Sequence, residues 1–168
     1  LAAIQWKVVI SAPSLYLTDA CQQNSDRSIK NNKHGFTNGL VTAEVPDADI
    51  SGVSVEERLQ SISIKALLFC EHIHQVKHYH RKKWGHIESV GELLNHVTER
   101  CRHFATNVQR LLKVFEPHAL VPTPAPLMLE HKTRYKIKVY SWAVQLRLKE
   151  WLTLVKQVFH TVNCTGHN

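Results

Sequence analysis

The sequence predicts an all-α protein, a four-helix bundle of up-up-down-down connectivity whose first helix is weak or incomplete. Three observations lead there. Long stretches repeat apolar residues in alternating steps of three and four, which keeps them on one side of a helix with 3.6 residues per turn. Two of these stretches are joined by a few residues only, while the last is reached through a long proline-rich link. At 168 residues and 43% apolar content, a single domain spanning residues 1–168 is large enough to bury a core.

Taken in order, residues 1–17 are apolar but interrupted by Lys7, with no basic leader before them. They read either as a remnant of a secretory segment or as a short buried first element. Leu1, Ile4, Val8, Ser11 and Leu15 form a short stripe that Pro13 breaks, so the first helix is short or partly missing. Residues 18–52 are polar, with turns at Asn31–Gly35 and Asn38-Gly39, and read as a long connection.

A second helix starts cleanly. Ser54 and Glu57 have capping-box spacing, and Glu56 and Glu57 suit the positive end of the helix dipole. Val55, Leu59, Ile62, Ala66, Phe69, Ile73 and Val76 form its stripe, and Trp84-Gly85 ends it. The third helix repeats the pattern at Ile87, Val90, Leu94, Val97, Cys101, Phe104, Val108, Leu111 and Phe115, and Pro117 stops it. So short a turn makes these two helices antiparallel neighbours.

Residues 117–131 contain four prolines and no helical period. A helix of roughly 28 residues is about 42 Å long. A link of about 14 extended residues reaches roughly 46–50 Å. It can therefore return along the bundle and start the last helix at the same end as the third, as up-up-down-down connectivity requires. The last helix carries Ile137, Tyr140, Val144, Leu148, Trp151, Val155, Val158 and Val162 on one face. Trp142 and Leu146 lie off that face and either widen the core or offer an apolar patch to a partner.

The formal charge of +7 and a pI near 9.4 imply attraction to polyanions. No run of about 18 uncharged apolar residues exists, so membrane insertion is not expected. Cys21, Cys70, Cys101 and Cys164 form no C-x-x-C pair, which weakens zinc-ribbon and thioredoxin-like readings. In an oxidising compartment they allow two disulfides in any of three pairings. Cys101 falls on the core stripe, and Cys70 beside one, buried or bridged. Asn163-Cys-Thr165 is a glycosylation sequon that has meaning only in a secreted chain.

No phosphate loop, nucleophile elbow or H-E-x-x-H is present, so no enzymatic activity and no cofactor are expected. His74 and His78, four apart on a helix, are the best zinc candidates. No third ligand joins them, and neighbouring cations oppose a metal, so no metal site is assigned. Lys77, Arg81, Lys82 and Lys83 form the densest cationic patch, with Tyr79 and Trp84 interleaved. They are either a helix end complementing its own dipole or a candidate glycan-binding patch, with heparan sulfate as the partner. The absence of a helix-turn-helix, RNP-like strand or zinc-finger spacing argues against nucleic acid. Lys132, Arg134, Tyr135, Lys136 and Lys138 crowd the start of the last helix, the wrong sign for that end of the dipole. A frayed solvated end and a binding role both explain this.

Val45-Pro-Asp-Ala-Asp-Ile-Ser-Gly-Val-Ser-Val-Glu-Glu-Arg-Leu59 resembles the end of the first long loop and the start of the second helix in interleukin-6-type cytokines. The branch it is most similar to is that of leukaemia inhibitory factor, ciliary neurotrophic factor and cardiotrophin. Residues 97–115, followed by Val121-Pro-Thr-Pro124, resemble the same branch, and order and spacing agree over roughly residues 45–160. The resemblance implies a long-chain helical cytokine, secreted and non-enzymatic, that brings class I cytokine receptor chains together to trigger intracellular kinase signalling. It implies as partners a leukaemia-inhibitory-factor receptor type chain and the shared signal-transducing chain. Aligning Glu150-Trp151-Leu152 with the family's acidic-aromatic-apolar step places Tyr135 and Lys138 on the family's receptor-binding Phe-x-x-Lys pair. Tyrosine in place of phenylalanine keeps the ring and adds a hydroxyl. The competing reading is an intracellular helical adaptor or basic nucleic-acid-binding module, which four free thiols would favour.

Overall fold

A computed structural model describes residues 44–85, 88–127, 129–130 and 133–165. The expected first helix, Cys21 and Lys132 lie outside these residues. Among the described residues there are three helices and no strand: α1 (Val55–Trp84), α2 (Glu88–Phe115) and α3 (Arg134–Thr165). They are the expected second, third and last helices. No helix among the described residues is long and apolar enough to cross a membrane.

The start of α1 follows from local chemistry. The Glu57 N–H donates to Ser54 Oγ at 3.1 Å. The Glu57 carboxylate accepts from the N–H groups of Val53 at 2.7 Å and Ser54 at 3.1 Å. These two backbone donors, Val53 first, hold the Glu57 carboxyl below its ordinary pKa. Gly52, at φ +114°, makes the turn into this cap, and a Cβ there would sit 2.5 Å from Glu57 Cβ. Upstream, the Lys65 ammonium bridges the carboxylates of Asp47 and Asp49 and donates to the Asp49 carbonyl at 2.8 Å. The Lys65 hydrogen bond is the main reason that the Asp49 carboxyl lies below its usual pKa. At the other end Gly85, at φ 76°, closes α1 by donating its N–H to the Arg81 carbonyl.

The stripes become the core, with one systematic correction. Leu59, Ile62, Ala66, Phe69, Ile73 and Val76 of α1 are buried, as are Leu94, Val97, Cys101, Phe104 and Val108 of α2. Near the ends of α2 and α3 burial moves on by one position. Leu112 is 1% exposed while Phe115 is 47% exposed and Leu111 is half-buried. Likewise Phe159 is buried where Val158 is only partly so. Alternating threes and fours average 3.5 residues, whereas the helix turns every 3.6, so a straight helix drifts off the stripe by about 20° per heptad.

Helix directions can be read from contacts. Tyr79 meets Tyr140 edge-on at 6.0 Å, and Phe69 meets Trp151 at 5.2 Å. Ten residues backward along α1 thus match eleven forward along α3, so the two are antiparallel. Phe104 of α2 also packs on Trp151, at 5.9 Å and nearly perpendicular. All three helices therefore meet around this one indole. α1 is the central element, packed on both others, while α2 and α3 run the same way with no comparable mutual contact.

The link between α2 and α3 traverses the bundle. Gln60 Nε2 donates to the Leu120 carbonyl at 3.3 Å near the start of α1. Gln75 Nε2 donates to the Leu129 carbonyl at 3.4 Å, and the Tyr79 hydroxyl donates to the same oxygen. Going from Gln60 to Tyr79 along α1 covers about 28 Å. The nine steps from Leu120 to Leu129 can cover roughly 30 Å when extended. The long proline-rich link is used for its length.

Candidate functional site

The start of α3 is set by Thr133, whose Oγ1 accepts the Lys136 N–H at 3.2 Å and whose carbonyl accepts the Ile137 N–H at 3.1 Å. No acidic residue stands in the first turn. Ile137 and Tyr140 are fully buried, and they fix the rotation of the helix about its axis. That rotation turns Arg134, Tyr135, Lys136 and Lys138 outward, all exposed. Tyr135 is 65% exposed. Three positions apart, Tyr135 and Lys138 are neighbours on one helix face. The structure thus brings this pair together on a solvent-facing surface.

The same first turns of α3 carry a buried polar contact to α1 that has no local sequence signal. Tyr140 Oη and His72 Nδ1 share a hydrogen bond of 2.7 Å inside the core. Burial lowers the His72 pKa to about 4, so its imidazole is neutral at pH 7. Burial, with smaller contributions from Tyr79 and Glu44, raises the Tyr140 phenol well above its ordinary value. Two neutral partners therefore make the bond, and Tyr79 braces Tyr140 from α1 while holding the Leu129 carbonyl just ahead of α3. The first turns of α3 and the chain just ahead of them are thus tied to α1 at two points.

The same pair gives a pH prediction. The folded His72 pKa lies below the unfolded value of 6.5. Its contribution to stability is therefore complete above pH 6.5 and is lost as pH falls from 6.5 through 4. The loss attributable to His72 should be about 2 kcal/mol once solvent screening is allowed for. Denaturant melts at pH 7 and pH 4 should show it in wild type as an excess over a His72→Leu variant.

The histidine-rich stretch divides by function. His72 serves the core, His74 and His78 face solvent, and His80 lies against Trp84 at 5.2 Å. Burial lowers the His80 pKa. Among the described residues no group of three or more His, Cys, Asp or Glu side chains gathers as a metal site. The cationic patch divides too. Lys77 and Arg81 share a face by their spacing of four, while Lys82 and Lys83 are rotated roughly 100° and 200° away from Arg81. Because Tyr79 is level with Tyr140, the basic end of α1 lies beside the basic start of α3, and two clusters far apart in sequence share one pole.

The helix α3 extends through 163–165, which places the Asn163 sequon on helical backbone. Trp142 and Leu146 are half-buried. They belong neither wholly to the core nor wholly to the surface. Sequence spacing could have picked out Tyr79, one step of three beyond Val76. The pairing of His72 with Tyr140, which lie 68 positions apart, had no local signal. No protein-family model, no curated protein and no solved structure matches the chain.

Proposed function

We propose that this chain is a secreted helical cytokine that brings class I receptor chains together, so that binding energy rather than chemistry does the work. The observation that supports it most is the path of the chain. Helix α1 is antiparallel to both neighbours, α2 and α3 are parallel, and a link of bundle length joins them. That is the path of the last three helices of an up-up-down-down bundle. The resemblance of residues 45–160 to the leukaemia inhibitory factor branch points the same way.

In this reading Tyr135 and Lys138 anchor the leukaemia-inhibitory-factor receptor type chain. An exposed ring supplies apolar area with few rotatable bonds, and an adjacent ammonium supplies a directed polar contact. A separate surface of the bundle engages the shared signal-transducing chain. Two surfaces on one rigid body hold two receptors at a fixed spacing, which is what activates kinases bound to their intracellular parts. Cells carrying both receptor chains should respond to the purified chain with receptor phosphorylation, and cells carrying either alone should not. Silence in cells with both chains, or an equal response with one, would refute the proposal.

The cationic pole fits retention on heparan sulfate. The chain should elute from heparin above physiological salt, and Lys77→Ala with Arg81→Ala should lower the salt required. Elution of wild type at physiological salt would remove this partner.

A further inference from the structure

Cys70 and Cys101 meet midway along the seam between α1 and α2. Cys70 continues a line of Leu59, Ser63 and Ala66 on α1, all at helical spacing and all buried. From α2, Thr98, Cys101 and Ala105 form a matching buried line. These side chains are mostly small, and the main chains come close. The Cys101 thiol donates to the Ala66 carbonyl at 3.4 Å, reaching the backbone of the opposite helix. In an α-helix that carbonyl is the acceptor for the Cys70 N–H four residues on, so Cys101 stands level with Cys70. The Cys70 thiol lies near enough to raise the Cys101 pKa. Both are free and buried, at 4% and 9% exposure.

We propose that Cys70 and Cys101 are a disulfide-forming pair, a modification site that turns the tightest helix seam of the bundle into a covalent one. The co-reactant is a small-molecule disulfide such as oxidised glutathione. One cysteine thiolate attacks it, forming a mixed disulfide and releasing one glutathione thiolate. The other cysteine thiolate then attacks the protein sulfur of that mixed disulfide and releases the second. Two S–H bonds become one S–S bond, one glutathione disulfide becomes two thiols, and the two protons end on the released thiolates. Residues that stand level across a close seam meet the first geometric requirement of such a bond.

The timing follows from the surroundings. The neighbouring Cys70 thiol, and then burial, push the Cys101 pKa well above that of an ordinary thiol. Thiolate is therefore scarce while the seam is closed, and no disulfide reagent reaches it. Closure belongs to folding or to transient opening of the seam, when both sulfurs are accessible. Once made, the bond joins the helix that touches both others to its main partner. It shortens the chain's freedom over residues 70–101, including the turn between the two helices. This inference stands on the seam alone and does not depend on the receptor reading.

The test is to refold the full-length chain in a glutathione redox buffer, alkylate under denaturing conditions with N-ethylmaleimide, digest, and map by mass spectrometry. The expected majority species is a peptide joining Cys70 to Cys101, two hydrogens lighter than its parts. Dithiothreitol should abolish it and lower the melting temperature by several degrees, and Cys101→Ala or Cys70→Ala should show neither effect. A majority in which both residues carry N-ethylmaleimide would overturn the inference. So would a majority joining either one to Cys21, Cys164 or glutathione.

Discussion

Trp151→Ala should be the most destabilising single substitution in the bundle, at about 3–5 kcal/mol. Its side chain is fully buried and contacts Phe69 of α1 and Phe104 of α2 while belonging to α3. Truncation opens a cavity where three helices meet, and rigid helices can only partly collapse onto it. Two aromatic pairings are lost as well, each worth roughly 1 kcal/mol beyond area. The indole also brings a cost, because its Nε1 is buried without a hydrogen-bond partner among the described residues. Trp151→Phe removes that unsatisfied donor and keeps a ring, so it should cost less than about half as much. Urea denaturation of both variants measures this. Equal losses would mean that the cavity is not the main term.

Tyr135→Ala should leave stability within about 0.5 kcal/mol of wild type yet weaken binding to the leukaemia-inhibitory-factor receptor type chain tenfold or more. The ring is 65% exposed, so little core packing depends on it. Tenfold corresponds to about 1.4 kcal/mol, a modest demand on an aromatic anchor at an interface centre. Tyr135→Phe separates ring from hydroxyl. If the ring carries the contact, the phenylalanine variant binds like wild type or better. A circular-dichroism melt accompanies each titration, so that a loss of binding is not confused with a loss of fold.

Much of the architecture was legible in the sequence because it is repetitive or local. Periodicity located three helices and most of their buried faces. The Ser54–Glu57 pair located the start of α1 because capping is decided within four residues. The link was legible as a length that a hairpin would not need, and the carbonyls of Leu120 and Leu129 are found at opposite ends of the stretch it crosses. What was missed depends on rotation or distance. The 3.5-residue stripe placed Leu111 and Phe115 in the core, but accumulated rotation gives the place of Leu111 to Leu112 and leaves Phe115 exposed. Lys77 to Lys83 looked like one patch along the sequence, but a helix spreads consecutive residues around its axis.

The site was legible in a narrower sense. Tyr135 and Lys138 were singled out by a resemblance and by charges unfavourable to their helix end, and both are exposed one turn apart. The buried contact of the same turns with α1 was not foreseen. His72 stood among several histidines with nothing to distinguish it, because its partner Tyr140 belongs to another helix. Tertiary packing alone creates that pair, which ties the first turns of α3 to α1.

The most direct test is a calorimetric titration of the leukaemia-inhibitory-factor receptor ectodomain with the wild-type chain and with Lys138→Ala. The account predicts saturable one-to-one binding by wild type. It predicts at least tenfold weaker binding by a Lys138→Ala protein whose thermal melt is unchanged. No binding by folded wild type, or superimposable curves for the two proteins, would contradict it.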